Sequence, residues 1–400
     1  NNLLYHNQAQ IATFSVNFHP YFKKILKSSS RTVKKRKLHC FFDADAVKHL
    51  YFFKFWCIMF MYIEVLMKKI ICYALTAVFC LLTLASCEKY AGESSRTDFA
   101  FDTIVTVSFY SEDEQIAEQA VSACFERIEQ LELIFSATDE NSELYRLNSS
   151  ACNNPVKVSD ELFDCIQKTF EYGEITNNSL DISIGGLIEL WAVGTDKAAV
   201  PAQADIDALL GVSRESIVLD TENQTVKFTD SRVKINLGAV AKGYAAAELL
   251  EIACQYEVYG IIDLGGSITV VGTKPDGGFT VGITDPADTE QLIGTVVLAD
   301  CTVATSGDYQ RYFTQDDKQY HHILDSTTGY PAESDISGVT IICAEPLLAD
   351  FLSTTVFIMG SEDGLELING MDGVEAIIVK TNGEILLSAH ADDYDFTQIS

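Results

Sequence analysis

Basic side chains are scarce in this 400-residue chain, which has 28 Lys and Arg against 57 Asp and Glu and a formal net charge of −29. The shortage is greater in residues 88–400, which contain 16 basic and 54 acidic side chains, a formal charge of −38. A domain with this charge repels the nucleic-acid backbone, so we expect no nucleic-acid partner. An anionic substrate would need local positive potential from a bound cation, backbone N–H groups or a helix N-terminus.

Several familiar catalytic patterns are also missing. The chain has no HExxH, GxSxG or Cys-His pattern, so the zinc-protease and α/β-hydrolase interpretations lack their residues. No CxxC pair follows Cys87. Most cysteines after Cys87 lie in apolar periodic segments, which favours buried free thiols, although an exported protein can also form disulfides. These six cysteines are Cys124, Cys152, Cys165, Cys254, Cys301 and Cys343.

The first 66 residues differ in composition from the rest. They hold 10 of the 28 basic residues, with Asp43, Asp45 and Glu64 as their acids, and the chain begins with Asn1 rather than Met. We therefore expect residues 1–66 to be untranslated or wrongly assigned sequence. The alternative is an N-terminal membrane anchor, since residues 49–66 are strongly apolar apart from Lys54 and Glu64.

Residues 67–87 have the order of an export signal. Met67 is followed by Lys68 and Lys69, by an apolar run to Leu84, and by "LASC" ending at Cys87. The apolar run is shorter than the roughly 20 residues of a spanning helix. "LASC" resembles a lipobox, so we expect cleavage before Cys87, lipidation of that cysteine, and a location in the bacterial cell envelope. The anchored protein would be periplasmic or on the outer face of the cytoplasmic membrane.

Residues 88–400 are predicted to form one large α+β domain. Apolar and polar residues alternate over 103–110, as in a strand. Apolar residues recur at helical spacing from Asp113 to Phe135 and over 159–176 and 238–256. We expect hairpins at 216–228 and around Asn382-Gly383. The predicted strands are 260–271, 279–284, 293–303 and 336–343. Because hairpins join most of these strands, we expect a mixed, mostly antiparallel sheet flanked by helices, with an active site in a central cleft.

The stretch "ADFLSTTVFIMG" (349–360) places polar groups in an apolar helix. Asp350, Ser353 and Thr354 have i, i+3, i+4 spacing, so their oxygens lie on one face. A carboxylate among apolar neighbours must be paired, hydrogen-bonded or bound to metal. The local alternative is an Asp near a helix start after Pro346, with Thr354 bonded back to the backbone.

Four polar islands that contain glycine interrupt the regular elements. Residues 235–248 open a helix with Gly238, Ala239 and Lys242, an arrangement that can present N–H groups to phosphate or permit tight packing. Residues 320–331 contain His321 and His322. A strand would send one of these two rings inward, where it would be either a proton carrier or a hydrogen-bonded core residue. The other two islands are 178–191, with Asp181, and 303–313, with Asp308 and Arg311.

The combination and order of these islands resemble the ApbE family, the FAD:protein FMN transferases, across residues 97–390. The matching segments are "FDTIVTV", "FSATDENSELYRLN", "LDISIGGLIELW", "INLGAVAKGYAA", "IIDLGGSI", "ATSGDY", "HHILDSTTGYP" and "ADFLSTTVFIMG". The resemblance implies that residues 88–400 transfer FMN from FAD to a Ser or Thr hydroxyl of an exported acceptor protein. The reaction would release AMP with help from Mg²⁺, and the acceptor would belong to a membrane redox complex.

The same resemblance assigns roles residue by residue. It implies that Mg²⁺ is held by the carbonyl of Ala239, by Asp350 and by Thr354, with Ser353 contributing in some relatives. It makes His322 the group that assists proton removal from the acceptor hydroxyl, beside Asp350 as the second catalytic residue. The implied FAD contacts are Phe101, Thr138, Ser179, Leu180, Asp181, Asn236, Lys242 and Leu324.

Some positions depart from the family pattern. Thr138 stands where many relatives place an aromatic residue, Asn236 and Ala247 replace frequent Asp residues, and Ser326 replaces the usual Pro. Two alternatives to the transferase stay open. One is a Mg²⁺-dependent FAD pyrophosphatase that yields FMN and AMP, because water can replace the acceptor hydroxyl in the same active site. The other is a non-catalytic FAD-binding lipoprotein, which the departures at Thr138 and Asn236 favour.

Overall fold

A computed structural model describes residues 92–399, together with Trp56, Met59 and Met67. The chain divides into two compact units, Asn1–Glu88 and Lys89–Ser400. Apart from the three isolated residues, the expected extension over 1–66 and the expected signal segment over 67–87 lie outside the described residues, as does Cys87.

Residues 92–399 contain helices and strands in mixed order. The helices are α1 (Glu114–Phe135), α2 (Glu143–Ser150), α3 (Asp160–Ile175), α4 (Gly185–Trp191), α5 (Gln203–Leu209), α6 (Ala241–Gln255), α7 (Pro346–Met359) and α8 (Ser361–Asn369). The strands are β1 (Gly92–Ala100), β2 (Thr103–Ser111), β3 (Val156–Lys157), β4 (Ile217–Asp220), β5 (Thr225–Phe228), β6 (Tyr259–Asp263), β7 (Ser267–Val271), β8 (Phe279–Asp285), β9 (Asp288–Leu298), β10 (Cys301–Gly307), β11 (Tyr312–Gln315), β12 (Lys318–His321), β13 (Ile336–Cys343), β14 (Val374–Lys380), β15 (Ile385–Leu387) and β16 (Thr397–Gln398).

The largest sheet has eight strands in the order β1-β2-β6-β7-β10-β13-β14-β15. Each neighbouring pair in it is antiparallel. Three smaller sheets have the orders β11-β12, β16-β9-β8 and β3-β5-β4. The predicted α+β class with a mostly antiparallel sheet is therefore confirmed.

The central strands are buried on both faces. In β14, Ala376 and Ile378 belong to the core shared with helices α1, α6 and α7, whereas Ile377 and Val379 belong to a second core with β8 and β9. Successive side chains of a strand point to opposite faces, so helices cover one side of the sheet and a smaller sheet covers the other. This is why such strands appear in the sequence as continuous apolar runs.

Capping residues set the starts of the first three helices. Asp113 accepts a hydrogen bond from Gln115 N–H before α1, and Ser142 and Ser159 do the same for Tyr145 and Leu162 before α2 and α3. Each cap satisfies one of the amide donors that the first helical turn leaves unpaired.

Two segments that were each predicted as one strand contain parts of two strands instead. The segment 260–271 is the hairpin β6–β7, because Gly265 and Gly266 take φ of +66° and +99° and turn the chain back. The segment 293–303 is the end of β9 and the start of β10, with Asp300 at φ 47° between them. The helix predicted over 238–256 begins later, at Ala241.

Four of the predicted buried thiols are buried, namely Cys124, Cys165, Cys301 and Cys343, and burial raises the pKa of each. Cys152 and Cys254 are exposed, contrary to that expectation, and all six are free. Among the described residues, no helix is both long and apolar enough to cross a membrane.

Candidate functional site

Helices α6 and α7 approach each other closely at Gly243. A Cβ at this position would lie 2.6 Å from Asp350 Cβ and 2.6 Å from the Pro346 carbonyl oxygen, so a side chain would push the helices apart. The small residues at the start of α6 therefore allow tight helix packing, and the packing brings the α6 N-terminus against the polar face of α7.

Asp350 lies at this contact and is 6% exposed. Its Oδ2 accepts a hydrogen bond of 2.8 Å from the Gly243 amide. Burial raises the pKa of Asp350, while the positive charge of Lys242 and the Gly243 hydrogen bond act in the opposite direction. The carboxylate thus has one oxygen engaged by the backbone and a second oxygen available to a cation.

The Gly243 amide also determines what the Ala239 carbonyl can do. In a regular helix the amide of residue 243 would donate to the carbonyl of residue 239, but α6 begins at Ala241 and this amide donates to Asp350. Ala239, in the turn before α6, thereby keeps its carbonyl oxygen free of that partner.

The hydroxyl groups of α7 separate into two sets. Thr355 donates to the Phe351 carbonyl and belongs to the helix interior. Ser353 donates to the Asp350 carbonyl over 2.9 Å, and Thr354 lies 3.1 Å from Ser306 Oγ on β10. The Thr354 hydroxyl bonds to Ser306 and not to the backbone, so the local alternative is wrong on this point.

Lys242 carries positive charge into this region. Its Nζ donates to the Gly265 carbonyl over 3.3 Å, and Gly265 N–H in turn donates to Asp263 Oδ1 over 2.9 Å. Burial raises the pKa of Asp263, and the Lys242 charge counteracts that rise. The charge of Lys242 therefore acts on two partly or fully buried acids, Asp263 and Asp350, beside the helix start.

The two neighbouring histidines have different environments. His321 is buried, with Nδ1 accepting from Ile323 N–H at 3.3 Å and Nε2 lying 3.2 Å from the Ala332 carbonyl, so both ring nitrogens have partners. His322 is partly buried, and its Nδ1 lies 3.2 Å from the Arg311 carbonyl. A carbonyl can only accept, so Nδ1 carries the proton and Nε2 keeps a lone pair.

Burial and the Arg311 charge lower the pKa of His322 to about 4. The ring is consequently neutral near pH 7, so Nε2 is unprotonated there. The inward-facing ring is that of His321. Its contacts are those of a hydrogen-bonded core residue, not of a proton carrier.

The turn between β1 and β2 is formed by Phe101 and Asp102, with φ of 50° and 57°. Left-handed backbone is rare for a bulky aromatic residue. Phe101 N–H donates to Glu132 Oε1 over 2.8 Å, and the Asp102 carbonyl accepts from Arg311 over 2.9 Å. The turn is thus tied to α1 on one side and to the residue that contacts His322 on the other.

Residues 181–183 lie beside the segment that leads into α6. Asn236 N–H donates to the Ile182 carbonyl over 2.9 Å, and Ile184 pairs with Lys234. Burial raises the pKa of Asp181, which follows Ser179 and Leu180 in the loop after α3. Asp181 is therefore adjacent in the chain to Ile182, the hydrogen-bond partner of Asn236, which lies three positions before Ala239.

The two remaining predicted contact residues, Leu324 and Thr138, lie in different surroundings, one buried and one exposed. Leu324 is buried and packs in a small cluster with Trp191, whose Nε1 donates to the Gly329 carbonyl over 2.8 Å. Thr138 is exposed in the loop after α1, where its hydroxyl lies 3.4 Å from Ser136 Oγ. No hydrogen bond among the described residues joins Thr138 to Asp350 or Lys242.

Gly243 and Ser306 contribute contacts that the sequence alone does not indicate. Both belong to segments already singled out, "INLGAVAKGYAA" and "ATSGDY", but a backbone donor and a buried serine hydroxyl have no pattern that distinguishes them from structural residues. Their contacts become visible when α6, α7 and β10 are brought together.

The oxygen donors at this helix contact fit Mg²⁺ by their chemistry. They are a carboxylate, aliphatic hydroxyls and a backbone carbonyl, all hard ligands that Mg²⁺ prefers, with room in its coordination for water and phosphate. Within the part of the chain that the structure describes, no cluster of three or more His, Cys, Asp or Glu side chains could hold a metal. A zinc-type centre is therefore not available there, whereas a site with a single carboxylate is.

The domain is thus an α+β protein in which carboxyl and hydroxyl oxygens of α7 lie against the start of α6, which carries Lys242, and against β10 of an antiparallel sheet. The ApbE family model matches residues 101–378. The FAD:protein FMN transferase of Klebsiella pneumoniae is 33% identical over 288 residues, covering 71% of this chain and 88% of that protein. That of Treponema pallidum is 31% identical over 318 residues, covering 74% and 87%.

The fold comparison agrees with the sequence comparison. The crystal structure of the ApbE protein from Thermotoga maritima matches with a TM-score of 0.71 and 32% identity, covering 76% of this chain and 99% of that chain. The chain belongs to the ApbE family, as the ordered motifs predicted.

Proposed function

We propose that this chain is a Mg²⁺-dependent FAD:protein FMN transferase, which joins FMN to a Ser or Thr hydroxyl of an exported acceptor protein and releases AMP. As a member of the ApbE family the chain is a transferase, and its relatives from K. pneumoniae and T. pallidum are named FAD:protein FMN transferases. The observation that carries the proposal is the hydrogen bond from Gly243 N–H to Asp350 Oδ2, because it joins the two helices from which the ligands of a cation would come.

The proposed cation ligands are Asp350, Thr354 and the carbonyl of Ala239, with Ser353 as a further oxygen. Asp350 supplies the negative charge, and the other three supply neutral oxygens. When bound there, Mg²⁺ neutralises phosphate charge and stabilises the negative charge that develops on the oxygen of departing AMP.

The FAD contacts are proposed to surround this centre. Lys242 lies at the α6 N-terminus, where an ammonium group and helix N–H groups together favour a diphosphate. The residues proposed to contact the remainder of FAD are Phe101, Thr138, Ser179, Leu180, Asp181, Asn236 and Leu324.

Electrostatics explain why such a negatively charged domain needs these positive groups. Unit charges about 4 Å apart interact by roughly 4 kcal/mol at an effective dielectric constant of about 20. Exposed acids act through screening solvent, with a decay length of roughly 8–10 Å. Lys242, the α6 N-terminus and a divalent ion therefore outweigh the diffuse repulsion of the surface at the diphosphate.

The transfer step is a displacement at phosphorus. The acceptor hydroxyl oxygen forms a bond to the phosphorus of the FMN half, the bond from that phosphorus to the bridging oxygen breaks, and AMP departs with the bridging oxygen. The hydroxyl proton passes to Nε2 of His322, the nitrogen that retains a lone pair, and then to solvent or AMP.

The test is incubation of purified protein with FAD, Mg²⁺ and a bacterial acceptor domain, followed by intact-mass analysis of the acceptor and measurement of AMP. We expect the acceptor mass to rise by one FMN moiety for each AMP released. Asp350→Ala should abolish labelling, and continued labelling by this variant would contradict the assigned site.

The same experiment separates the two alternatives. Incubation without acceptor yields AMP and free FMN if the protein is a pyrophosphatase. Tight FAD binding without AMP over hours would indicate a non-catalytic binding protein.

We also propose export and lipid anchoring at Cys87, with an acceptor that is a subunit of a membrane redox complex. The order of basic, apolar and small residues over 67–87 supports this proposal. Mass spectrometry of the native N-terminus tests it, since an unmodified N-terminus upstream of Cys87 would exclude lipobox processing.

A further inference from the structure

A buried hydroxyl on β10 contacts two of the proposed cation ligands. Ser306 is 8% exposed, and its Oγ lies 2.9 Å from Ser353 Oγ and 3.1 Å from Thr354 Oγ1. Ser353 is itself 1% exposed and donates to the carbonyl of Asp350 over 2.9 Å. Four oxygens therefore form an unbroken chain from Thr354 through Ser306 and Ser353 to the backbone of Asp350.

The direction of this chain is fixed at its carbonyl end. A carbonyl oxygen only accepts, so Ser353 donates its single hydroxyl proton to Asp350. Ser353 must then accept from Ser306, which uses the only proton of Ser306. Ser306 in turn must accept from Thr354.

This direction has a consequence for the cation site. The hydroxyl proton of Thr354 points towards β10, which leaves the lone pairs of Oγ1 for a ligand on the other side. If the chain ran the other way, Thr354 would be free to turn its proton into the site, where it would oppose a cation. The oxygens that remain open are those a hard divalent ion requires.

We propose that Ser306 is a positioning residue, which orients the Thr354 hydroxyl so that its lone pairs face the cation site. The inference rests on the proposed function, since it assumes that Thr354 binds a divalent cation. Residues that orient metal ligands typically change metal affinity by 10- to 100-fold when they are replaced.

The chain offers a matched control on the same strand. Thr302 and Thr269 form another buried hydroxyl pair, with their Oγ1 atoms 2.8 Å apart and both residues at most 1% exposed. Thr302→Val removes a buried hydroxyl from β10 without touching the Ser306 chain. A general loss of stability from deleting a hydroxyl in β10 should therefore appear in both variants.

The experiment measures binding of Mn²⁺, a paramagnetic substitute for Mg²⁺, to the full chain by electron paramagnetic resonance. We expect Ser306→Ala to raise the Kd for Mn²⁺ about tenfold, while Thr302→Val stays within twofold of the unaltered protein. FAD affinity measured calorimetrically in EDTA should be unchanged in Ser306→Ala. Saturating Mn²⁺ should restore most of its transfer rate, which a merely structural defect would not allow.

Equal Mn²⁺ affinity in Ser306→Ala and the unaltered protein would overturn the positioning role while leaving the cation site intact. Failure of the unaltered protein to bind Mn²⁺ would overturn the cation site, and the positioning role with it. If Ser306→Ala does not fold, Ser306→Cys supplies the second measurement, because a thiol is a weak donor and acceptor. We expect it to weaken Mn²⁺ binding less than tenfold, and unaltered binding would again contradict the role.

Discussion

The amide of Gly243 lies 2.8 Å from Oδ2 of Asp350, although 107 positions separate the two residues in the chain. The absence of a side chain at 243 allows this contact, because a Cβ there would lie 2.6 Å from Asp350 Cβ. One glycine therefore sets the distance between helices α6 and α7 and supplies a hydrogen bond to the buried carboxylate.

Gly243→Ala is expected to destabilise the domain. The added methyl group forces α6 away from α7, and overpacking of this kind costs about 1–3 kcal/mol in free energy of unfolding. The measurement is chemical denaturation monitored by circular dichroism. Gly186→Ala is the control, since the nearest atom to its Cβ is an ordinary contact at 3.4 Å. Equal stability of Gly243→Ala and the unaltered protein would contradict the close approach.

His322→Gln is expected to lower the transfer rate by roughly 10²- to 10⁴-fold, the range for a general base. His321→Gln should chiefly lower stability, because both ring nitrogens of His321 have partners inside the protein. The measurement compares single-turnover rates at saturating FAD with melting temperatures for the two variants. A stable His321→Gln that loses the larger part of the rate would reverse the assignment.

Stability should also depend on pH through His322. Its pKa is lowered to about 4 in the folded protein, whereas an unfolded histidine titrates near 6.5, so the unfolded chain binds more protons between these values. The contribution is fully present above about pH 6.5 and is lost as pH falls through about 4. Between pH 7 and pH 5, the unaltered protein should lose more free energy of unfolding than His322→Gln. His390→Gln, with a side chain 74% exposed, is the control and should behave like the unaltered protein.

Lys242→Met is expected to weaken FAD binding by about ten- to a hundredfold. The substitution removes the ammonium group whose charge counteracts the raised pKa of Asp263 and of Asp350, and it leaves the negative charge of these acids without that compensation near the proposed diphosphate site. Calorimetric titrations at two salt concentrations measure the affinity, and the variant should show the smaller salt dependence. Lys168→Met, which removes an exposed lysine paired with Asp164, should bind FAD normally. Unchanged affinity in Lys242→Met would remove Lys242 from the proposed FAD site.

Phe101→Asn is expected to weaken FAD binding without a large loss of stability. Asn accepts left-handed backbone more readily than Phe, and this offsets part of the stability that is lost with the apolar contacts of the ring. The control is Asp102→Gly at the second left-handed position, which should preserve the turn, because Gly adopts left-handed backbone without steric cost, and should keep its FAD affinity. Normal FAD affinity in Phe101→Asn would mean that the aromatic ring is retained for packing alone.

Much of the fold can be predicted from the spacing of apolar residues along the sequence. The helix at Asp113 and the strand over 336–343 were predictable because each segment has one pattern and clear boundaries. The break inside 260–271 was not, because β-propensity continues through a turn that depends on the left-handed φ of Gly265 and Gly266. The short strands β3 and β16, with two residues each, have no period to detect.

The candidate site shows a similar division. Asp350, Ser353 and Thr354 could be grouped from helical spacing alone, since three neighbouring positions fix one face. Ser306 could not, because its contact with Thr354 depends on how β10 packs against a helix 48 residues away. The different environments of His321 and His322 depend on carbonyl partners in other segments, Ala332 and Arg311, which spacing does not specify.

The cluster around Trp191 gives the protein an internal optical reporter. The chain has two tryptophans, Trp56 and Trp191, so processing before Cys87 would leave Trp191 as the only indole fluorophore. It is fully buried, and its ring centroid lies 5.4 Å from that of Tyr330 and 5.6 Å from that of Tyr320. Because Trp191 and Leu324 pack in one cluster, a flavin bound beside Leu324 would quench indole emission by resonance energy transfer, and arrival of the dinucleotide could be followed in real time without a label.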